Sequence, residues 1–306
     1  MESPTLKHLR YFLALVDSGH FGRAADSCFV SQSAFSSAIA ELENRLGTQL
    51  VDRTNRTVTI TATGQDIATQ ARLCLRDVQS LVEMARGDCA PLCGDLRLGV
   101  IPTIAPFLLP KALPKLRRKF PQLELYLTED QTQRIYGRLM DGELDVILLA
   151  LPWEMRGVEV EALFKDRFFL AYRDGTERVD PDNYQFSRLD ADSILLLEDG
   201  HCLRDHALAA CKIRNSRKVR PFAASSLLTL VEMVDADLGI SFLPEMSRDS
   251  SLLRNTQVKL SEMGDRSYRT IGLAWRKGST RGDEFKLLGN FIAESRTGDR
   301  RDDDET

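Results

Sequence analysis

The sequence lacks several features that would take it outside the ordinary globular proteins. Its N-terminus carries no signal-type apolar run, and the apolar stretch at residues 146–151 is far shorter than the roughly 20 residues needed to span a bilayer. There is no fibrous or array-type repeat. With 43% hydrophobic and 28% charged residues, the 306-residue chain has room for two or three domains. We expect a cytoplasmic protein without membrane association.

An excess of positive charge is also absent. The net charge is −4, and the first 60 residues hold equal numbers of basic and acidic side chains, six of each. Because phosphate neutralisation supplies most non-specific affinity for DNA, a domain with this balance would bind DNA modestly as a monomer. Any nucleic-acid function must therefore rest on a local motif and on dimerisation.

Residues 1–60 nevertheless have the pattern of a winged helix-turn-helix. An apolar stripe ends at Gly19, and a second helix carries the paired residues Ala24 and Ala25. Ser31 is a good N-cap for a third helix that ends at Gly47. Residues 50–61 alternate apolar and polar residues around a turn, as a β-hairpin wing does. The alternative is a small helical interaction domain with a serine-rich solvated face.

The third predicted helix has a small polar face near its N-terminal end that could enter a major groove. The wing tip carries two arginines suited to phosphate contact. The predicted DNA-binding residues are Ser31, Gln32, Ser33, Ser36, Ser37, Arg53 and Arg56. Their expected partner is double-stranded promoter DNA.

Residues 61–93 are predicted to be a linker and hinge. Apolar residues recur there at alternating steps of four and three, which is a heptad seam. They are Ile67, Ala71, Cys74, Val78, Leu81 and Ala85. Such a helix would pair two subunits; the alternative is a long amphipathic helix packed on its own domain. Gly87, Pro91 and Gly94 end it, with Cys89 and Cys93 beside them.

From residue 94 to the C-terminus, predicted strands alternate with helical stretches, which indicates an α/β domain. The predicted strands are 96–101, 123–127, 145–150, 168–172, 194–197, 239–243 and 270–275, followed by a last helix around residues 285–292. Ligands in such sheets collect beyond the carboxyl ends of strands, so a pocket there is expected. Residues 297–306 are rich in charge and are predicted to be a disordered tail.

Cys202 and Cys211 lie at the two ends of a predicted helix that follows Gly200. The partial positive charge at the helix N-terminus favours a thiolate at Cys202. A fully helical segment would hold the two residues about 13 Å apart, whereas a disulfide needs Cα atoms within about 7 Å. Thiols in this setting suggest transient redox chemistry or metal binding, although His201, Cys202, His206 and Cys211 follow no recognised zinc spacing.

Several segments resemble LysR-type transcriptional regulators. They are residues 21–25, Ser31-Gln32, the wing, the linker helix, and residues 101–103, 108–110, 226–230 and 269–273. Residues 196–205 (LLEDGHCLRD), followed by Cys211, resemble the peroxide-sensing members of that family. The resemblance runs from about residue 5 to 296. It departs at Ser33, where a proline often follows Ser-Gln.

The resemblance implies a fold and a set of roles. The fold is an N-terminal winged helix-turn-helix, a long linker helix and a two-subdomain, periplasmic-binding-protein-like regulatory domain. Cys202 would be the peroxidatic thiol and Cys211 the resolving thiol. Thr103, Thr132 and His201 would bind peroxide, with Asp205 and Arg269 in supporting positions.

The expected partners are hydrogen peroxide, promoter DNA, RNA polymerase, thiol reductants and further copies of the chain, as a homodimer or homotetramer. No cofactor or metal is expected, and the protein is not expected to be an enzyme. Two other functions stay open: a regulator of the same family that binds a small metabolite, and a thiol peroxidase. The second would leave the DNA-binding motif and linker helix unexplained.

Overall fold

The computed structural model describes residues 3–53, 58–86, 91–181, 183–184, 189–210, 218–221, 223–264 and 267–297. The helices are α1 (Leu6–Ser18), α2 (Phe21–Ser27), α3 (Gln32–Leu46), α4 (Ala62–Arg86), α5 (Ala105–Lys119), α6 (Thr132–Met140), α7 (Cys202–Ala210), α8 (Leu227–Asp235) and α9 (Gly282–Thr297). The strands are β1 (Val51–Arg53), β2 (Val58–Ile60), β3 (Gly94–Val100), β4 (Leu123–Glu129), β5 (Val146–Leu151), β6 (Val158–Arg173), β7 (Ser241–Pro244), β8 (Val258–Glu262) and β9 (Tyr268–Arg276). Two compact units contain them: Met1–Ala90 with Met140–Glu143, and Pro91–Leu139 with Leu144–Thr306.

The N-terminal unit contains a winged helix-turn-helix, as the sequence predicts. α1 follows the N-cap Thr5, whose hydroxyl accepts a hydrogen bond from the His8 backbone, and it is closed by the C-cap Gly19 in the left-handed conformation. α3 begins after Ser31, whose hydroxyl accepts a hydrogen bond from the backbone of Ala34. Phe35 is fully buried among the three helices and lies 5.2 Å from the Tyr11 ring, centroid to centroid.

The wing is a short antiparallel pair. β1 and β2 pair from Val51 opposite Ile60 to Arg53 opposite Val58. Arg53 is therefore the last described residue before the tip. Arg56 lies outside the described residues.

α4 divides its apolar face between two environments. Ala68 and Ala71 are buried in the core of the N-terminal unit, and Ile67 packs against that core. Further along, Leu81 is 62% exposed. The first half of the predicted seam thus packs within its own unit, and the second half leaves a large apolar side chain uncovered.

The larger unit is built around one twisted sheet. Its strand order is β4, β3, β5, β9, β6, β7, with β8 paired to β6. β3 pairs in parallel with both β4 and β5, whereas β9 runs antiparallel between β5 and β6. The carboxyl ends of three parallel strands consequently meet at one edge of the sheet.

β6 connects the two halves of this sheet. Residues 158–167 pair with β9, and residues 168–173 pair with β7 and β8. Two hydrophobic cores result: one lies around β3, β5, β9 and α9, and the other around the second half of β6, β7 and α8. This is the two-part α/β regulatory fold that the sequence predicts.

Three details differ from the predicted strands. β6 begins ten residues before the predicted position 168, and β8 was not predicted. Residues 194–197 are not a strand, because Ile194 and Leu197 make only isolated parallel bridges with Val219, Ile240 and Ala224.

The predicted tail from residue 298 onward lies outside the described residues. Within the described ranges, no helix is long and apolar enough to cross a membrane.

Candidate redox site

The carboxyl ends of the parallel strands position the first polar side chains of the site. β3 ends at Val100 and Thr103 follows it; β4 ends at Glu129 and Thr132 opens α6. Both threonines are buried, at 2% and 1% exposure. Their hydroxyls therefore lie in protein interior rather than in water, as expected for groups at this edge of an α/β sheet.

α7 brings Cys202 to the same edge. Gly200 precedes it with a φ of +99°, a conformation that favours glycine, and Cys202 is the first residue of the helix. Cys202 is 2% exposed and belongs to the first core, whereas Leu203 and Ala207 belong to the second. α7 thus packs against both cores of the larger unit, which we call the regulatory unit.

Arg269, in β9, holds the buried polar groups together. Its Nε donates to the Asp166 carboxylate at 2.9 Å, its Nη1 donates to the Thr103 hydroxyl at 2.8 Å, and its Nη2 donates to the Thr103 carbonyl at 2.8 Å. The Arg269 and Asp166 side chains are 0% and 3% exposed. Burial raises the pKa of the Asp166 carboxyl, and the Arg269 charge opposes that shift. The guanidinium is fixed in orientation because its donors have rigid partners.

Opposing influences set the pKa of the Cys202 thiol. Burial is the largest and raises the pKa, whereas the Arg269 charge and the Thr132 hydroxyl lower it. The net shift is upward, so the resting thiol is protonated at neutral pH. The sequence analysis expected the helix N-terminus to favour a thiolate; burial of the thiol acts against that influence.

The Thr132 hydroxyl is a buried polar group close to the Cys202 thiol. It lies near enough to Cys202 to lower the pKa of the thiol. Its oxygen is buried, however, and makes no hydrogen bond of ordinary geometry with any described residue. Since an unsatisfied buried hydroxyl is costly, this atom is suited to receive a small polar ligand.

The two other predicted peroxide-binding residues have different settings. His201 is buried, with its Nε2 3.9 Å from a Glu198 carboxylate oxygen. Burial lowers the pKa of His201, and Glu198 opposes that shift. Asp205 lies exposed in the first turn of α7. Among the five predicted residues, Thr103 and Arg269 are hydrogen-bonded to each other. Thr132 and Arg269 both lower the pKa of the Cys202 thiol.

A cavity of about 510 Å³ opens beside the thiol. Its walls come from the start of α6, the loop after β5, and α7. The lining residues are Gln133, Pro152, Trp153, Glu154, Cys202, Asp205, His206 and Ala209. Peroxide is about the size of two water molecules, so the cavity provides access rather than a close fit.

The sequence prediction of the site missed Asp166, and it named His206 only as a candidate metal ligand. Asp166 carried a signal, because it is a lone carboxylate two residues before the apolar run that opens with Phe168. A charged residue on the inward side of a strand indicates a buried partner. His206 is four residues after Cys202 on α7 and so shares its helix face.

The structure describes four of the six cysteines. Cys211 and Cys89 lie outside the described residues. Cys28, Cys74 and Cys202 are free thiols, and Cys93 is disulfide-bonded. In the described part of the chain, no group of three or more His, Cys, Asp or Glu side chains could hold a metal ion.

The predicted DNA-contacting face of α3 lies at the surface. Ser31, Gln32, Ser33 and Ser37 are exposed and Ser36 is half-buried, whereas the opposite side of the helix carries the buried residues Phe35, Ile39 and Leu42. The Ser31 and Ser33 hydroxyls are 3.1 Å apart. The helix therefore presents small polar side chains outward over its first turns.

A winged helix-turn-helix, a long helix and an α/β unit with a buried polar site define a class: transcriptional regulators with a sensor domain. Residues 6–65 match the family described as "Bacterial regulatory helix-turn-helix protein, lysR family", and residues 90–296 match "LysR substrate binding domain". The chain belongs to the LysR family of transcriptional regulators. Membership implies DNA binding and oligomerisation.

Relatives within the family carry two different names. The chain is 39% identical to the HTH-type transcriptional regulator EstR of Acinetobacter baylyi, over 94% of this chain and 96% of the relative. It is 38% identical to the DNA-binding transcriptional dual regulator OxyR of Escherichia coli, over 94% of each chain. A structure of a full-length OxyR variant from Pseudomonas aeruginosa is 32% identical, covers 95% of each chain and has a TM-score of 0.77.

Proposed function

We propose that this LysR-family regulator senses hydrogen peroxide through a reversible disulfide between Cys202 and Cys211 and controls oxidative-stress genes. It would act in the cytoplasm on promoter DNA, activate transcription together with RNA polymerase, and be reset by cellular thiol reductants. The predicted DNA contacts are those of α3 and the wing, from Ser31 to Arg56. The working assembly would be a homodimer or homotetramer.

One observation carries this proposal: a buried thiol lies near a fixed guanidinium and the Thr132 hydroxyl, which makes no hydrogen bond of ordinary geometry with the described residues. Cys202, Thr132 and Arg269 are 2%, 1% and 1% exposed. The Arg269 charge and the Thr132 hydroxyl both favour the ionised sulfur. Groups that stabilise developing negative charge in a dry site are what displacement at a peroxide oxygen requires.

The proposed reaction has two steps, oxidation of Cys202 by peroxide and disulfide formation with Cys211. The Cys202 sulfur attacks one peroxide oxygen, the O–O bond breaks, and the thiol proton goes to the departing oxygen, giving a sulfenic acid and water. The Cys211 sulfur then attacks the Cys202 sulfur, and hydroxide leaves with the second thiol proton as water. Peroxide is reduced by two electrons while two thiols become one disulfide.

The second step requires α7 to unwind. Eight helical steps carry Ala210 about 12 Å from Cys202. One further residue changes that separation by at most about 3.8 Å, which leaves it above the roughly 7 Å limit for a disulfide. Because α7 carries Leu203 and Ala207 in the second core, unwinding it would also remove contacts from that core. A change of this kind can repack an interface between subunits.

The test combines peptide mass spectrometry with DNA footprinting before and after mild peroxide treatment. We expect a peptide pair linked through Cys202 and Cys211, together with a shifted footprint. Cys202→Ser should abolish both changes, and Cys211→Ser should trap the sulfenic acid. Cys28→Ser, which alters a thiol of the N-terminal unit, is the matched control and should behave as wild type. A Cys202→Ser variant that still shifts its footprint with peroxide would overturn the proposal.

The cavity favours one other function. Its volume of about 510 Å³ is large enough for a small metabolite, and the relative EstR is named only as a regulator. On this alternative, a metabolite would change operator binding in the Cys202→Ser variant as well, and peroxide would change nothing.

A further inference from the structure

His206 lies one helical turn after Cys202 and lines the same cavity. Both residues belong to α7, four positions apart, so their side chains share one helix face, with Cβ atoms about 6 Å apart. Side chains on a helix lean toward its N-terminus, and this directs His206 toward the turn that carries Cys202. Both residues line the same cavity.

The hydrogen bond of His206 fixes its tautomer. Its Nε2 lies 3.0 Å from the carbonyl oxygen of Pro152. Because a carbonyl only accepts, Nε2 must carry the proton, and Nδ1 is left with a lone pair. Nδ1 is buried and has no hydrogen-bond partner among the described residues, the Cys202 sulfur included. Any contact between Nδ1 and the sulfur therefore has to form when peroxide enters, as catalytic hydrogen bonds often do.

The surrounding groups keep this imidazole neutral. Burial is the main cause that lowers the pKa of His206; the Arg269 charge also lowers it, whereas the Pro152 carbonyl and the Asp205 charge oppose the shift. The other groups around the shared cavity are the Cys202 thiol on the same helix, Glu154 in the loop after β5, and the uncharged Gln133 on α6. A neutral base one helical turn from a protonated thiol can serve in general-base catalysis once substrate brings the two groups together.

We propose that Nδ1 of His206 accepts the proton of the Cys202 thiol during attack on peroxide. This inference rests on the proposed peroxide chemistry and adds the group that activates the thiol. As the S–O bond forms and the O–O bond breaks, the proton passes from sulfur to Nδ1. The imidazolium then gives a proton to the departing oxygen, which leaves as water. His206 ends the step neutral, and no free thiolate needs to accumulate.

The test measures the second-order rate constant of sulfenic acid formation in a Cys211→Ser background as a function of pH. With His206 present, the rate should be flat above about pH 6.5 and fall as the imidazole becomes protonated at lower pH. His206→Gln keeps a donor for Pro152 and an acceptor but cannot take up a proton. We expect it to be about 100-fold slower at pH 7 and to gain tenfold per pH unit as the thiol itself ionises.

Chemical rescue separates proton transfer from packing. His206→Ala should also be slow, and free imidazole should restore part of its rate, because the cavity can admit a ring of that size. Arg204→Gln, on the same helix but outside the cavity lining, controls for loosening of α7 and should keep the full rate. A His206→Gln variant with the rate and pH profile of His206, or slow variants that imidazole does not rescue, would overturn the inference.

Failure of this inference is distinguishable from failure of the proposed function. If the protein with His206 intact forms no sulfenic acid at Cys202, the peroxide proposal itself is wrong. If it forms sulfenic acid rapidly and His206→Gln does so equally fast, only the role of His206 is rejected.

Discussion

At Cys202, burial and charge act on one thiol in opposite directions. Burial raises its pKa, and Arg269 and Thr132 lower it. A thiol kept neutral by desolvation is protected from casual oxidation, because the thiolate is the reactive form. Reactivity then depends on groups that act when a ligand enters, such as the Thr132 hydroxyl, which has no ordinary hydrogen bond among the described residues. Cys202 is therefore unreactive until a ligand contacts the groups around it.

Arg269 shows how strongly one side chain can stabilise this site. Replacing it with methionine would leave the Asp166 carboxylate buried without its counter-charge. We expect Arg269→Met to lower the free energy of unfolding by about 3–5 kcal/mol. The two tryptophans of the chain, Trp153 and Trp275, both lie in the regulatory unit, so their fluorescence in urea titrations reports its unfolding.

The matched variant replaces both charges at once. Arg269→Met with Asp166→Leu should regain at least half of the lost stability, because no unpaired charge is then buried. An equal loss in the single and double variants would show that the ion pair is not the source of the stabilisation.

At the scale of elements, the turn at Gly200 determines where α7 begins. Its φ is +99°, and a Cβ there would lie 2.7 Å from the Gln131 side-chain oxygen. We expect Gly200→Ala to cost about 1–3 kcal/mol, because an L side chain is strained at this φ. Relief of that strain would shift the start of the helix and slow sulfenic acid formation. Gly137→Ala, in the middle of α6 with no atom near its added Cβ, should instead stabilise the protein by about 0.5–1 kcal/mol.

Urea titrations and sulfenic acid trapping on the same samples would measure both effects. If Gly200→Ala were as stable and as reactive as Gly137→Ala, the left-handed turn would have no part in positioning Cys202.

The sequence predicted some elements well because their burial is uniform. β3 and β5 lie in the middle of the sheet, and β5 forms a continuous apolar run that reads as a buried strand. The first half of β6 was missed because its charged residues Glu159, Glu161 and Lys165 break any apolar run. Residues 194–197 looked like a strand because they are apolar, yet they are buried beside segments that pair with them only at single points.

Without the family resemblance, the site could be predicted only from local sequence patterns. The segment around Gly200 and the strand ends before Thr103 and Thr132 are local, and they were predicted. The contacts of Arg269 span long separations along the chain: Asp166 is 103 residues away and Thr103 is 166 residues away. Only the family resemblance placed Arg269 and Thr103 in one site, and nothing in the sequence paired Arg269 with Asp166. Desolvation of the Cys202 thiol could not be predicted either, since it depends on every element packed around Cys202.

At the scale of the whole molecule, α4 is the predicted link between subunits, since a regulator that binds paired half-sites has to dimerise. The first half of its apolar seam is used within the N-terminal unit, where Ala68 and Ala71 are buried. Leu81, which is 62% exposed, is left for a partner. We infer that the second half of α4 carries the contact between two copies of the chain.

Leu81→Lys tests this contact. Burying a leucine is worth about 1.5–3 kcal/mol, and a two-fold interface buries it twice, so the dimer should weaken by about 3 kcal/mol or more. That corresponds to more than a hundredfold rise in the dissociation constant, measured by sedimentation at micromolar and submicromolar concentrations. Gln79→Lys is the matched control: Gln79 is exposed and about 160° around the helix from Leu81, so the same charge there should leave the dimer intact. If Leu81→Lys dimerised as tightly as Gln79→Lys, the contact between subunits would have to lie outside the second half of α4, and Leu81 would be an ordinary exposed side chain.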